Sequence, residues 1–238
     1  MRWIRIFVLL LNSINEGSTF ALQPKPFSRR NIVKAAIIGP NIYNIDNIAK
    51  AATNSTKKEK ETEIELEPLT LLFYGPVTED TCLQLSTALC ELDKQAGIQK
   101  VKYPGIEPCI TLHIQSGGGA LMPTFYVCDT MKRIHTPIHV YIDGYAASAA
   151  SLISVCGDKR YMTKHSALLI HQLSGSSSGK FNELKNEMTN FNFFMNNVRD
   201  IYLNNTKLDK NTLEDLLLSD IWLDANTCLN YGLIDEII

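Results

Sequence analysis

No run of about 18 apolar residues occurs anywhere in the 238-residue chain, which argues against a permanent membrane span. A surplus of either charge is also lacking. The 23 basic and 25 acidic residues leave a net charge of −2, so there is no basic footprint for nucleic acid. The six cysteines form no C-x-x-C pair and have no closely spaced histidines, which excludes a sequence-readable zinc site and a disulfide framework. Most of them sit in apolar runs, such as Tyr126-Val127-Cys128 and Val155-Cys156, and read as buried free thiols of a reducing compartment. Acids are nearly missing from one part of the chain. Residues 1–60 carry ten Lys/Arg against Glu16, Asp46 and Glu59, a net of +7, and the remainder carries −9. A basic, acid-poor start on an acidic body points to targeting rather than to nucleic-acid binding.

What is there begins with Arg2 and Arg5, the apolar run Ile6–Leu11, and a polar stretch to Ser18-Thr19-Phe20-Ala21. Residues 1–20 therefore read as a signal-like segment with a short core. Residues 21–68 read as a transit-peptide-like segment closed by a charged linker, Lys57 to Glu67, with a domain boundary near Pro68. A signal followed by a transit peptide, with Phe20 at the junction, resembles the bipartite leaders of algae with secondary plastids. The plastid stroma is the expected destination; a mitochondrial presequence or an uncleaved arm are the alternatives.

From residue 69 to 238 the chain, 45% hydrophobic overall, reads as one α/β domain. Leu71-Leu72-Phe73-Tyr74 predicts a buried strand, and Thr78 an N-cap followed by Glu79 and Asp80 in a first helical turn. Leu85, Leu89 and Leu92 then mark one helical face. Ile110, Leu112 and Ile114 alternate as a strand, and Ser116-Gly117-Gly118-Gly119 turns into a helix with Leu121, Phe125 and Cys128 on one side. Ile138–Ile142 is a strand, Leu152–Val155 a helix, and Ala167–Ile170 a strand. Strands and helices in alternation call for parallel βαβ units. After a Ser/Gly-rich loop, a long helix from Phe181 to about Tyr202 bears an apolar stripe of Leu184, Met188, Phe191, Phe194 and Val198 that needs a partner.

Three residues attract chemical attention. Ser148 stands at the strand-to-helix turn Gly144–Ser151, where free N–H groups and the positive end of the helix dipole converge. His171 follows a buried strand, and Asp220 precedes Trp222-Leu223. A nucleophile, an imidazole to take its proton and a carboxylate to orient the imidazole make up acyl-transfer chemistry. Each also has a bland reading: small residues for packing, a strand-end histidine, an aspartate capping the next helix.

Together, Gly-x-Ala-Ala-Ser at 144–148, Ile-His-Gln at 170–172 and Asp-x-Trp-Leu-x-Ala at 220–225 resemble the catalytic blocks of the Clp protease proteolytic subunit (ClpP) family. Ser116-x-Gly118-Gly119, Asp129-Thr130-Met131 and Tyr231-Gly232-Leu233-Ile234-Asp235 resemble further blocks of it. The resemblance implies a crotonase/ClpP-like α/β superhelix of βαβ units with a protruding handle helix. It implies Ser148 as nucleophile, His171 as general base, Asp220 as orienting acid, and the backbone N–H groups of Gly119 and Ala149 as oxyanion hole. It also implies a homo- or hetero-oligomer of stacked heptameric rings acting on unfolded proteins and fed by an AAA+ Clp ATPase. That partner uses ATP, and no cofactor or metal is expected in this subunit.

The departures are Gly117 and Leu173 where the family usually has proline, an insertion around Gly97–Pro108, and a two-residue shortening near Gly157. The family's axial-loop sequence is not recognisable in residues 55–70. Thr111, His113 and Arg133 stand where aromatic residues dock the ATPase. An active serine endopeptidase is the favoured reading, a non-catalytic ring subunit the rival, and a crotonase-type acyl-CoA enzyme a third.

Overall fold

The computed structural model describes residues 68–238; the signal-like segment and the transit-peptide-like segment as far as residue 67 lie outside the described residues. β1 (Thr70–Tyr74) leads into α1 (Glu79–Lys102), β2 (Ile110–Ser116), α2 (Leu121–Arg133) and β3 (Ile138–Ala147). Then come α3 (Ala149–Val155), β4 (Lys159–Met162), β5 (Ala167–Leu169) and α4 (Phe181–Asn205). α5 (Lys210–Leu217), β6 (Trp222–Asp224), α6 (Ala225–Asn230) and β7 (Glu236–Ile237) complete the domain.

The sheet runs β1-β2-β3-β4-β7, with β5 on β3 and β6 on β5, and every pairing is parallel except β5 with β6. The expected parallel βαβ α/β architecture is therefore present. One sheet face carries Leu71, Phe73, Leu112, Ile114, Val140, Ile142 and Met162, all buried in one core with Leu85, Leu89 and Val127 of the helices. Alternation in β2 follows from the period of two: its even positions are buried and its odd positions are not. Thr78 caps α1, its Oγ1 accepting from the Thr81 N–H while Thr81 Oγ1 accepts from the Thr78 N–H.

β3 runs five residues further than the sequence suggested. Its first half pairs with β2 and β4, and its second half, Tyr145–Ala147, pairs with β5. The bend falls at Gly144, with φ of 88°, where the buried Ser166 hydroxyl accepts from the Gly144 N–H and donates to the Ile142 carbonyl. This switch of partners carries the strand end away from β4 and toward the end of β5. It brings Ser148 to the cleft that His171 also lines.

α4 is longer than expected, and its apolar stripe is divided. Val198 and Tyr202 are buried, whereas Phe181, Leu184, Met188 and Phe193 stand exposed on the first half. The insertion near Gly97 is helical to Lys102 and leaves Ile98 and Val101 exposed. All six cysteines are free thiols; Cys82, Cys128, Cys156 and Cys228 are buried, but Cys90 is exposed. Among the described residues no helix is long and apolar enough to cross a membrane.

The second face of the sheet holds Thr111 and His113. His113 stacks on Tyr141, and Tyr141 on Tyr161, with ring centroids 5.0 and 4.6 Å apart. Asp143 Oδ2 lies 2.7 Å from His113 Nδ1 and accepts from the Tyr74 hydroxyl at 2.6 Å. Aromatic rings thus remain on this face beside polar groups that would weaken a purely apolar anchor.

Candidate active site

Ser148 has φ 55° and ψ −123°, the one positive φ of a non-glycine residue among the described residues. It stands between β3 and α3, so the chain passes from strand to helix through a single, half-buried residue. Such strain persists only where neighbours over-determine it. Here the Ser148 N–H donates to the Leu169 carbonyl at 2.9 Å, and its own carbonyl accepts from the Ser151 N–H at 3.0 Å. The first bond ties the elbow to β5, the strand that delivers His171.

Two backbone donors stand beside the serine. α3 begins at Ala149, whose N–H has no intrahelical acceptor. The glycine loop is pinned by Val77, which donates to the Gly118 carbonyl at 2.9 Å and accepts from the Ala120 N–H at 2.8 Å. That pair of bonds leaves the Gly119 N–H between them without a partner among the described residues. Gly118, with φ of 88°, packs so closely on the elbow that a Cβ there would lie 2.5 Å from the Ala147 carbonyl oxygen. Gly119, Ala149, Ser148 and His171 line one cleft of about 230 Å³, closed further by Leu121, Leu152 and Tyr202.

The three charge-relay candidates are gathered but not closed. Among the described residues no hydrogen bond joins Ser148 and His171. His171 Nδ1 lies 3.9 Å from Asp220 Oδ1, beyond hydrogen-bond range, with His171 25% and Asp220 85% exposed. Nδ1 is the His171 nitrogen nearest the carboxylate. Asp220 sits in the turn before β6 and does not cap the following helix; that task falls to Asp224, which accepts from the Thr227 N–H. The Gln172 N–H donates to the Leu217 carbonyl, so the histidine segment and the end of α5 are joined by backbone. At Leu173, the N–H that a proline would lack donates to Met195 Sδ of α4 at 3.3 Å.

Sequence reasoning did not find Ser151 and Tyr202. The Ser151 hydroxyl donates to the Ser148 carbonyl at 2.6 Å and contacts the Tyr202 hydroxyl at 2.6 Å. The pair is 51 residues apart and belongs to no local motif.

The Clp protease family model matches residues 66–238. The proteolytic subunit 1 of the ATP-dependent Clp protease of Chlamydia muridarum is 28% identical over 177 residues, covering 73% of this chain and 88% of the relative. Its counterpart in Protochlamydia amoebophila is 33% identical over 129 residues, covering 52% of this chain and 63% of the relative. Among solved structures, a mutant of ClpP1 from Listeria monocytogenes superposes with a TM-score of 0.61 at 23% identity, covering 71% of this chain and 90% of its own. That likeness concerns the fold. With a strained serine elbow, a pinned glycine loop and a cleft-lining histidine inside the matched region, the chain belongs to the Clp protease family.

Proposed function

We propose that this chain is an active serine endopeptidase subunit of an ATP-dependent Clp-type protease, cutting unfolded proteins inside stacked heptameric rings. The observation that carries the reading is the φ of 55° at Ser148, a conformation held at the mouth of a cleft that His171 also lines, beside the amide groups of Gly119 and Ala149, which have no hydrogen-bond acceptor among the described residues. Ser148 Oγ attacks the scissile carbonyl carbon as its proton passes to His171 Nε2. The N–H groups of Gly119 and Ala149 receive the developing oxyanion. His171 then returns the proton to the departing amine, and water, deprotonated by the same imidazole, releases the acyl group. Asp220 holds His171 in the required tautomer once their gap shortens from 3.9 Å, as apo sites commonly tighten on binding.

A fluorophosphonate probe with peptide mapping tests this directly. Labelling at Ser148, lost in Ser148→Ala, supports the active subunit. The open His171–Asp220 geometry favours a second reading, a non-catalytic subunit of a mixed ring. Assembly into rings without any labelling would establish that reading and remove the first.

The partners follow the same proposal. The exposed apolar half of α4 suits ring stacking, and an AAA+ Clp ATPase would supply unfolded substrate and consume the ATP. Residues 1–68 would carry the chain to a plastid stroma, or on the alternative reading to a mitochondrial matrix. A fluorescent protein fused to that segment, imaged in the source cell, decides between them.

A further inference from the structure

We propose that Tyr202 of α4 is a positioning residue for Ser148, acting through the Ser151 hydroxyl. The proposal rests on Ser148 being the nucleophile. The direction of the relay is fixed by counting hydrogens. Ser151 has one hydroxyl hydrogen, and it goes to the Ser148 carbonyl, which can only accept. The 2.6 Å contact between the Ser151 and Tyr202 hydroxyls must then run from Tyr202 as donor. The chain is Tyr202 O–H to Ser151 Oγ to Ser148 carbonyl.

Each half of this has an ordinary explanation by itself. A serine in a first helical turn often bonds back to a carbonyl three residues earlier, and a buried tyrosine needs a partner. What separates this case is the identity of the carbonyl. It belongs to the residue with the strained backbone, and its plane sets where Ser148 Oγ points. Ser151 is wholly buried and Tyr202 nearly so, and in such surroundings successive hydrogen bonds polarise one another. Burial also pushes the Tyr202 phenol well above its ordinary range, more than the Ser151 hydrogen bond draws it back, so it stays a donor at any working pH. Tyr202 lies on the same helix as the exposed apolar stripe and itself lines the cleft. The handle helix therefore reaches the nucleophile through two hydroxyl groups.

The experiment uses the assembled protein and three variants, Tyr202→Phe, Ser151→Ala and the double substitution. For each, the fluorophosphonate acylation rate constant, the inhibitor affinity and the thermal midpoint are measured. Ser151→Ala removes the hydroxyl donor to the Ser148 carbonyl and leaves only the backbone N–H groups at positions 151 and 152 on it, and acylation should slow roughly tenfold with affinity unchanged. Tyr202→Phe leaves that donor in place but unpolarised, and should slow acylation about threefold. The midpoint should be lowest in Ser151→Ala, where the buried Tyr202 hydroxyl loses its acceptor, and should recover in the double variant. Acylation should not recover there, because the carbonyl still lacks its hydroxyl donor. A packing role alone would make rate and midpoint recover together, and that result, or wild-type rates in the single variants, overturns the proposal. If the wild-type protein fails to label at Ser148, the nucleophile assignment falls first and this proposal with it.

Discussion

Adjacent glycines in the loop before α2 should respond oppositely to the same substitution. A Cβ on Gly118 would lie 2.5 Å from the Ala147 carbonyl oxygen, 2.8 Å from Ser148 Cβ and 3.0 Å from the Ala149 nitrogen. All three belong to the elbow, and no flexible side-chain end among them can yield. The loop cannot easily retreat either, because Gly118 donates to Ser116 Oγ and accepts from the Val77 N–H. Its φ of 88° adds roughly 1–3 kcal/mol for any residue with a side chain. Forced displacement of packed atoms adds about 1–3 kcal/mol more. Gly118→Ala should therefore lose roughly 2–6 kcal/mol of stability, and fluorophosphonate labelling should fall at least about tenfold as the elbow shifts. A Cβ on Gly117 would meet nothing within 4 Å, and its φ is not positive. Gly117→Ala should gain about 0.4–1 kcal/mol by restricting the unfolded chain, with labelling kept or improved. Denaturant unfolding and labelling rates measure both. Equal effects at the two positions, or a Gly118→Ala protein that unfolds and labels like the parent, would refute the reasoning.

Ser148→Ala should abolish cleavage of fluorogenic peptides, a loss of about 10⁴–10⁶, while leaving assembly intact; His171→Ala should lose a similar amount and the double variant little more. More than a few per cent of residual activity, contaminants excluded, counts against the triad. Burial alone would raise the Asp235 carboxyl, but its hydrogen bonds to Arg160 and that residue's charge, with Lys207 assisting, hold it below the usual carboxylate range. Its stabilisation is present at neutral pH and lost as pH falls through the lowered value. Asp235→Asn should reduce neutral-pH stability and flatten the acid limb, and an unchanged acid limb in thermal scans would contradict this. Met188→Asp, on the exposed half of α4, should prevent ring stacking without unfolding the domain; native mass spectrometry reporting an unchanged complex would remove α4 from the stacking surface. The homomer paired with a standard Clp ATPase should cleave peptides but degrade a folded, degron-tagged protein poorly, since polar Thr111, His113 and Arg133 stand where the proposed docking needs apolar anchors; rapid ATP-dependent degradation would say otherwise.

The elements legible in the sequence are those whose local chemistry is complete. Thr78 with its acidic first turn, the alternation of Ile110, Leu112 and Ile114, and the apolar run at Ile138 each specify an element without outside help. β4, α5, β6 and β7 have no such self-sufficient signal. Lys159-Arg160-Tyr161-Met162 has a single fully buried position, and β7 is two residues long, so their strand character comes from partners far along the chain. The helix stripe on α4 announced a partner but not its position. Val198 and Tyr202 meet this domain's own core, and Leu184 and Met188 do not. For the site, the residue types at 148, 171 and 220 could be named because each stands in a recognisable block. The strain at Ser148 and the hydroxyl pair behind it could not, since the first is held by the distant Leu169 carbonyl of β5 and the second by packing of α3 against α4.

The order of the elements along the chain has a kinetic consequence. Every pairing except β5 with β6 is parallel, so each needs a long crossover and forms slowly compared with local structure. The residues of the proposed site are spread from Gly119 to Asp220, and the short β6 that anchors the aspartate pairs antiparallel with β5. During synthesis, Ser148 and His171 emerge well before α5 and β6. A ribosome-bound chain ending within α4 would carry the nucleophile and the base but neither Asp220 nor the Leu217 carbonyl that fastens the histidine segment. On the proposed chemistry the nascent subunit stays inert until its C-terminal segment docks, so the protease cannot cut its neighbours while it is still being made.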